Sequence, residues 1–293
     1  MQDSSFKLSV ITPVKNACND IVKCIESVAS QSFASKEHII IDGLSSDNTL
    51  DLVERLAKKY NHLKYISEAD HGIYDAMNKG IDIASGEWIY FLGSDDQIYD
   101  DHVVERVMGI SDIDSLDFLY GNVVWGDTGI IYDGKFSLLK LMKKNICHQA
   151  IFYRKNIFQQ FGKFDVRYSL LADYLMNIIL FSSGIVRIKY IDIIVAKYGI
   201  YGKSTLMVDL KFFEDYSFII NKYFPKEYIE IMEENELKIS EIKTKDNIIN
   251  ELNMKINRLA AIENSLSWRL TKPLRLLGKI LQSFRENFPM QRS

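Results

Sequence analysis

The sequence of 293 residues has few of the residue types that mark specialised chain classes. It contains three cysteines, four prolines and fifteen glycines. The cysteines Cys18, Cys24 and Cys147 form no CxxC pair, and with five scattered histidines they match no zinc-site spacing. This pattern argues against a disulfide framework and a zinc module, and favours a reducing compartment. So few prolines and glycines exclude a collagen-like or linker-dominated chain.

Long apolar runs and a charge excess are also missing. The richest apolar stretch, 178–188, is interrupted by serines, Gly184 and Arg187, so no segment predicts a membrane-spanning helix. The first residues show no basic cluster followed by an apolar run, so we expect no secretory signal. A net charge of −3 supplies no general basic field, and we expect no nucleic-acid partner. These features predict a cytoplasmic protein.

Hydrophobic residues make up 47% of the chain, which is enough for a sizeable core. In the first hundred residues, short β-branched runs alternate with segments of helical periodicity. The predicted strands are 8–12, 38–42, 63–67 and 88–92. The predicted helices are 20–29, 49–60 and 73–84. This alternation indicates an α/β fold with a mostly parallel sheet and helices on both of its faces.

Polar side chains follow the ends of these four strands, where ligands bind in parallel sheets. Asp95 and Asp96 come directly after the fourth strand, and adjacent carboxylates suit Mg²⁺ or Mn²⁺ shared with phosphate oxygens. A solvated acidic turn is the alternative. Lys15 and Lys79 could face a diphosphate, and there is no GxGxxG or complete P-loop. A metal-bridged diphosphate is therefore the favoured ligand.

The second half predicts a hairpin over 118–132, a strand at 151–153, a helix over 173–181 followed by further strands, and a domain end near Pro225. We expect one domain over 1–224 and a helical segment over 225–263. In that segment, isoleucines recur every seven residues at Ile242, Ile249 and Ile256. Leucines recur with the same period, offset by three positions, at Leu252, Leu259 and Leu266. This heptad pattern predicts a coiled coil, with a homo-oligomer as the default partner. A helix that packs back on the domain is the alternative.

The last segment, 264–293, has six basic residues and one acidic residue. Its leucines recur at spacings of three and four with basic residues between them, which predicts a basic amphipathic helix. Such a helix suits the surface of an anionic membrane, and we expect a peripheral contact with the inner face of the cell membrane. A structural helix that docks on its own protein is the alternative.

Four further blocks of sequence stand out: SVITPVKN at 9–16, IIDGLSSDNT at 40–49, DHGIYDAMNKG at 70–80 and GEWIYFLGSDD at 86–96. In this order and at this spacing, they resemble the family 2 glycosyltransferases. The resemblance covers about residues 6–205. It implies the GT-A fold, a nucleoside-diphosphate sugar donor, a Mg²⁺ or Mn²⁺ cofactor, and inverting transfer to a hydroxyl of a glycan or lipid-linked acceptor.

The resemblance also implies roles for residues on the donor side. Asp42 is expected to contact the nucleobase. Asp70 is expected to lie along the nucleotide and diphosphate. The other residues expected to bind the nucleotide sugar are Thr12, Pro13 and Val14 in the nucleobase pocket, and Asn78 and Lys79 near the diphosphate.

The resemblance also implies which residues bind the metal and which residue acts in catalysis. Asp96 is expected to be the stronger metal ligand, with Asp95 shared between the metal and the ribose. His148 and the 203–205 loop are expected to close over the donor. Asp173 falls at the position of the catalytic base; a helix cap or first-turn acid is its alternative role.

The chain departs from the family pattern at four positions. Gly43 and Gly93 stand where the family usually has aspartates, Ala172 stands where an acid precedes the base, and Met77 replaces a common arginine. Two other functions are compatible with the sequence. A sugar nucleotidyltransferase would share the sheet, but its glycine- and arginine-rich loop is absent. A non-catalytic scaffold would act through the coiled coil. The favoured function is synthesis of a bacterial capsule, O-antigen or exopolysaccharide.

Overall fold

A mixed β-sheet forms the centre of the fold in the computed structural model, which describes residues 7–199, 208–264 and Lys279. The first half contributes β1 (Leu8–Val14), α1 (Ile21–Ala29), β2 (Lys36–Asp42), α2 (Thr49–Lys59), β3 (Leu63–Ser67), α3 (Ile73–Ile83) and β4 (Trp88–Phe91). These strands lie in the order β3-β2-β1-β4, and every neighbouring pair is parallel. The predicted α/β fold with a parallel sheet is confirmed for this half.

Apolar residues at helical spacing explain how α1 and α2 cover one face of the sheet. Ile21 and Ile25 of α1 pack with Val53 of α2 and Ile40 of β2, and none of the four is exposed. Burial of each such side chain stabilises the fold by about 1.5–3 kcal/mol. The strands β1 and β2 are buried along their whole length, as expected for central parallel strands.

The second half adds shorter elements. They are β5 (Gln97–Ile98), α4 (Val103–Met108), β6 (Phe118–Trp125), β7 (Ile131–Tyr132), α5 (Leu138–Leu141), β8 (Ile151–Arg154), α6 (Asn156–Gln160), α7 (Ala172–Ser182), β9 (Ile188–Tyr198), α8 (Leu210–Tyr223) and α9 (Lys226–Asn264). Two 3-10 turns lie at Ile113–Ser115 and His148–Ala150.

The sheet continues from β4 through β8, β6 and β9 to β5. β8 is antiparallel to both β4 and β6, whereas β6 and β9 are parallel. The predicted hairpin is confirmed, since Val123 pairs with Tyr132 in antiparallel register. The predicted strands after α7 are a single strand, β9, in the described part of the chain.

The chain divides after Lys226 into two compact units. Pro225 separates α8 from α9, and α9 is a helix of 39 residues. The coiled coil stays a prediction. The predicted basic helix over 264–293 lies outside the described residues, except for Asn264 and Lys279. Among the helices that the structure describes, none has the length and apolar character needed to cross a membrane.

Candidate active site

The carboxyl ends of the parallel strands lie at one edge of the sheet, and the strand order reverses between β1 and β4. Ligands bind at such reversal points in open α/β sheets. The backbone connects the loops at this edge. The Gly43 amide donates to the Val14 carbonyl at 2.9 Å, and the Glu68 amide donates to the Asp42 carbonyl at 2.9 Å. The candidate cleft therefore opens at this edge.

Asp42, the predicted nucleobase contact, ends β2 and has no exposed surface. Its carboxylate accepts hydrogen bonds from the Ser67 hydroxyl at 2.6 Å and from the hydroxyl and amide of Ser45 at 2.5 and 3.2 Å. These bonds fix the turn after β2. Nucleobase binding by Asp42 stays a prediction.

The end of β1 is more buried than a binding surface would be. All three predicted pocket residues here are buried: Thr12, Pro13 and Val14. The Thr12 hydroxyl lies 2.9 Å from Nε2 of His38, inside the core. Lys15 and Asn16, which follow β1, are exposed and supply the accessible surface at this strand end.

Asp70 lies against the end of β2. Its carboxylate accepts a hydrogen bond from the Gly72 amide at 3.0 Å. A Cβ atom placed on Gly43 would lie 2.0 Å from Asp70 Oδ2, so the carboxylate occupies the space that a side chain would need. The structure therefore brings Asp70 to the cleft.

Lys79 and Asn78 make contacts within the fold. The Lys79 ammonium lies 3.0 Å from the Glu68 carboxylate, which raises its pKa. The Asn78 amide donates to the Phe164 carbonyl at 2.9 Å and accepts from the Phe164 amide at 3.0 Å. Asn78 thus joins α3 to the segment before α7 through one donor and one acceptor of its side-chain amide. Nucleotide binding by these two residues stays a prediction.

Asp96 is buried and accepts three hydrogen bonds within the fold. Its Oδ2 accepts hydrogen bonds from Gln149 Nε2 at 2.6 Å and from the Gly93 amide at 3.1 Å, and its Oδ1 accepts one from the Gly199 amide at 2.8 Å. Burial, and then the charge of Asp95, raise the pKa of Asp96 to about 7. Through these bonds, Asp96 connects three segments: the loop after β4, Gly199 directly after β9, and the 3-10 turn before β8.

Asp95 is exposed, and no other residue in the described part of the chain donates a hydrogen bond to its carboxylate. Partial desolvation in the cleft raises its pKa. A hard cation such as Mg²⁺ binds one or two carboxylates and completes its shell with phosphate oxygens and water. The described residues contain no cluster of three or more metal-ligating side chains. Asp95 is the more accessible of the two carboxylates, and metal binding by Asp95 and Asp96 stays a prediction.

His148 is the first residue of the 3-10 turn before β8. Its ring interacts electrostatically with two acids, Asp173 and Asp95. Its Nδ1 is 4.0 Å from Asp173 Oδ2. Burial lowers the pKa of His148, while the charges of Asp173 and Asp95 act in the opposite direction. Its Nε2 is buried and has no hydrogen-bond partner in the described part of the chain. His148 thus lies beside Asp173, and closure over the donor stays a prediction for His148, while the 203–205 loop lies outside the described residues.

Asp173 is the second residue of α7 and is only 4% exposed. Leu171, not Asp173, is the N-cap residue. The Asp173 carboxylate accepts hydrogen bonds from the Tyr74 hydroxyl at 2.6 Å and from Asn145 Nδ2 at 2.9 Å. Burial raises its pKa, which makes it a stronger proton acceptor at neutral pH. The arrangement suits a general base.

Sequence reasoning assigned no role to four residues that hold these acids: Tyr74, Asn145, Gln149 and Gly199. The sequence carries a weak signal for two of these residues, because Tyr74 lies within the block at 70–80 and Gln149 directly follows His148. Asn145 and Gly199 have none, because each reaches its aspartate from a loop far away in the sequence.

The chain matches the model of "Glycosyl transferase family 2" over residues 9–173. It is 38% identical over 208 residues to the PGL/p-HBAD biosynthesis glycosyltransferase of Mycobacterium tuberculosis, which covers 70% of this chain and 81% of that relative. It is 35% identical over 125 residues to the uncharacterized glycosyltransferase YibD of Escherichia coli, over 43% of this chain and 36% of the relative.

Two solved structures share the fold. S. aureus TarS 1–349 in complex with UDP-GlcNAc matches with a TM-score of 0.59 and 21% identity, over 69% of this chain and 61% of that chain. Mannosyltransferase PcManGT from Pyrobaculum calidifontis, in complex with GDP-Man and Mn²⁺, matches with a TM-score of 0.56 and 14% identity, over 67% of this chain and 58% of that chain. The chain thus spans about three fifths of each of these structures. It has the GT-A fold and belongs to glycosyl transferase family 2.

Proposed function

We propose that the protein transfers a sugar from a nucleoside-diphosphate sugar to a hydroxyl of a glycan or lipid-linked acceptor, with inversion and with a divalent cation. Family membership supports sugar transfer, and the structural neighbours bound to UDP-GlcNAc and to GDP-Man with Mn²⁺ support the choice of donor and cation. One observation carries the proposal. A buried carboxylate, Asp173, lies 4.0 Å from Nδ1 of His148, and the charge of an exposed carboxylate, Asp95, raises the pKa of the same imidazole.

Asp173 serves as the general base. An alcohol has a pKa far above 7, so its attack on the anomeric carbon needs a proton acceptor within hydrogen-bond distance. The bond from the acceptor oxygen to the anomeric carbon forms as the bond to the diphosphate breaks, and the hydroxyl proton moves to Asp173. A single displacement of this kind inverts the anomeric centre and needs no covalent enzyme intermediate.

Asp95 holds the donor side of the site. A bound Mg²⁺ or Mn²⁺ would stabilise the charge that develops on the departing nucleoside diphosphate. Asp95 would bind that cation together with the phosphate oxygens, while Asp96 keeps the loop in place through its three protein hydrogen bonds. Lys15 is exposed at the same edge and forms no ion pair with a described residue, so it can approach the phosphates.

The class of acceptor is inferred from the name of one relative and from the basic residues of the last segment. The M. tuberculosis relative is named for PGL/p-HBAD biosynthesis. We place this protein in the synthesis of a bacterial surface glycan, such as a capsule, O-antigen or exopolysaccharide, on the cytoplasmic side of the membrane. The basic residues of 264–293 would provide the peripheral membrane contact.

Calorimetric titration with UDP, GDP, CDP and dTDP, with and without Mn²⁺, tests the donor site. We expect one diphosphate to bind, and Mn²⁺ to strengthen its binding at least tenfold. Asp95→Asn should remove that Mn²⁺ effect and keep the fold, because the side chain is exposed and bonds to no other described residue. Absence of binding by every diphosphate would overturn the proposal.

Asp173→Asn is the matched test of the base. The variant keeps the size of the side chain, so it should bind the same diphosphate with wild-type affinity. It should lower metal-dependent hydrolysis of the corresponding nucleotide sugar by at least a hundredfold, since general-base catalysis contributes about 10²–10⁴-fold. Wild-type turnover by this variant would remove Asp173 from the mechanism.

A further inference from the structure

A line of hydrogen bonds between uncharged side chains ends on the Asp173 carboxylate. The Tyr153 hydroxyl donates to Asn177 Oδ1 at 3.1 Å, Asn177 Nδ2 donates to Asn145 Oδ1 at 2.8 Å, and Asn145 Nδ2 donates to Asp173 Oδ2 at 2.9 Å. Tyr153 and Asn177 have no exposed surface. Every donor in the line points toward Asp173, so the line ends on Asp173 Oδ2 as an acceptor, and a hydrogen bond to this oxygen is stronger when the carboxylate is ionised.

The Tyr74 hydroxyl contacts two acceptors with one proton. Its oxygen lies 2.6 Å from Asp173 Oδ1 and 2.8 Å from the Leu170 carbonyl oxygen. When Asp173 is ionised, the hydroxyl donates to it. When Asp173 is neutral, its own O–H can donate to the Tyr74 oxygen, and the Tyr74 hydroxyl can then donate to Leu170. Both protonation states of Asp173 therefore have a partner at the same site.

We propose that Tyr74 and Asn145 are positioning residues that hold Asp173 in its ionised form, and that Tyr74 transfers its hydrogen bond to Leu170 when Asp173 receives a proton. This inference rests on the proposed function, in which Asp173 is the base. In the step, the O–H bond of the acceptor breaks, an O–H bond forms on Asp173 Oδ1, and Tyr74 keeps its own proton. The pKa of Tyr74 is raised by burial and by the Asp173 charge, which agrees with a phenol that stays protonated.

The surroundings of Asp173 explain why such partners are needed. Burial by itself favours the neutral acid, which cannot accept a proton. His148 is the nearest basic side chain, and burial keeps its pKa low. The titratable side chains within electrostatic reach of Asp173 are His148, Cys147, Tyr74, Tyr132, Tyr153 and Tyr174. Against burial, the pKa of Asp173 is lowered first by the charge of His148 and then by hydrogen bonds from Tyr74, Asn145 and the Tyr174 amide, so these donors stabilise the carboxylate whenever His148 is neutral.

The test measures the protonation of Asp173 directly. The protein is labelled with ¹³C at the aspartate carboxyl carbons, and the Asp173 resonance is identified by its absence from Asp173→Asn. We expect Tyr74→Phe and Asn145→Ala each to raise the titration midpoint of Asp173 by about one to two pH units, since each removes a hydrogen bond to the charged form. Tyr174→Phe is the matched control. It removes a neighbouring buried hydroxyl that donates to the Leu141 carbonyl, so the midpoint should not move.

The pH profile of nucleotide-sugar hydrolysis, measured with UDP-GlcNAc and GDP-mannose, is the second measurement. Its acid limb should shift upward with the ¹³C midpoint in Tyr74→Phe and stay in place in Tyr174→Phe. An unchanged midpoint in both Tyr74→Phe and Asn145→Ala would overturn this inference even if Asp173→Asn is inactive. A raised midpoint together with a fully active Asp173→Asn would support the hydrogen bonds and reject the catalytic role of Asp173.

Discussion

Two glycines stand where the family usually has acidic residues, and neighbouring carboxylates occupy the space that a side chain would need. A Cβ atom on Gly93 would lie 2.4 Å from Asp96 Oδ2, just as one on Gly43 would lie 2.0 Å from Asp70 Oδ2. The glycines therefore allow Asp70 and Asp96 to approach the backbone at the ends of β2 and β4. The departures from the family pattern are consistent with an intact cleft.

At the residue scale, the burial of His38 predicts that the free energy of unfolding depends on pH. Burial lowers its pKa to about 3, whereas an imidazole in the unfolded chain has a pKa near 6.5. The unfolded state therefore binds one more proton between these values. The contribution of His38 is fully present above pH 6.5 and is lost as the pH falls from 6.5 toward 3, by about 1.4 kcal/mol per pH unit.

Urea unfolding of the wild type and His38→Gln between pH 7.5 and 4.5 measures this dependence. As the pH is lowered, the free energy of unfolding should fall less steeply in the variant. The slopes should differ by about 1.4 kcal/mol per pH unit, which corresponds to one proton. Thr12→Val is the control. It removes the hydroxyl that contacts His38 and keeps the imidazole, so it should lower stability but retain the wild-type slope. Equal slopes in the wild type and His38→Gln would contradict the prediction.

At the scale of elements, one carboxylate connects α8 to the segment that carries the candidate base. Asp209 is the N-cap of α8, where its side chain accepts from the Phe212 amide at 3.2 Å. The same carboxylate accepts from the amides of Leu170 and Leu171 at 2.8 and 3.1 Å, just before α7. It is 3% exposed, so water cannot readily replace it. The start of α7 therefore depends on a residue of another helix.

Asp209→Ala should lower the free energy of unfolding by about 3 kcal/mol, because it removes a helix cap and leaves two further part-buried amides without this acceptor. Ser137→Ala removes the exposed cap of α5, where the Ser137 hydroxyl accepts from the Lys140 amide, and should cost about 1 kcal/mol or less. Urea unfolding of both variants compares them directly. Similar losses would show that the contacts before α7 do not contribute.

At the scale of the whole molecule, α9 leaves its heptad residues in solvent. The isoleucines and leucines at these positions are more than half exposed: Ile242, Ile249, Leu252, Ile256 and Leu259. Exposed apolar side chains at coiled-coil spacing are best buried against a second copy of the same helix. We propose that the protein is a dimer through α9.

Light scattering of the full chain after size-exclusion chromatography tests this proposal. The wild type should have twice the mass of one chain, and the double variant with Ile249→Asp and Leu252→Asp should have the mass of one. Met254→Asp is the matched control, because Met254 is 63% exposed but lies outside the a and d positions. It should stay dimeric. A monomeric wild type would reject the dimer.

The sequence by itself determined the first four strands and their three helices, and it predicted the edge of the sheet at which the candidate cleft lies. Each of these elements follows from local periodicity and from turn residues, and parallel strands place their ends at one edge whatever the rest of the chain does. The helix predicted over 20–29 is observed at Ile21–Ala29, and the strand predicted over 63–67 is observed at Leu63–Ser67.

Only the tertiary structure decided which donors and acids meet. Tyr74 reaches Asp173 across 99 positions, and Gly199 reaches Asp96 across 103. It also placed β8 antiparallel between β4 and β6. It showed as well that Asp95, rather than Asp96, is the accessible acid. Such pairings depend on how distant segments pack, and local periodicity carries no information about them, because the same helix or strand pattern is compatible with many partners.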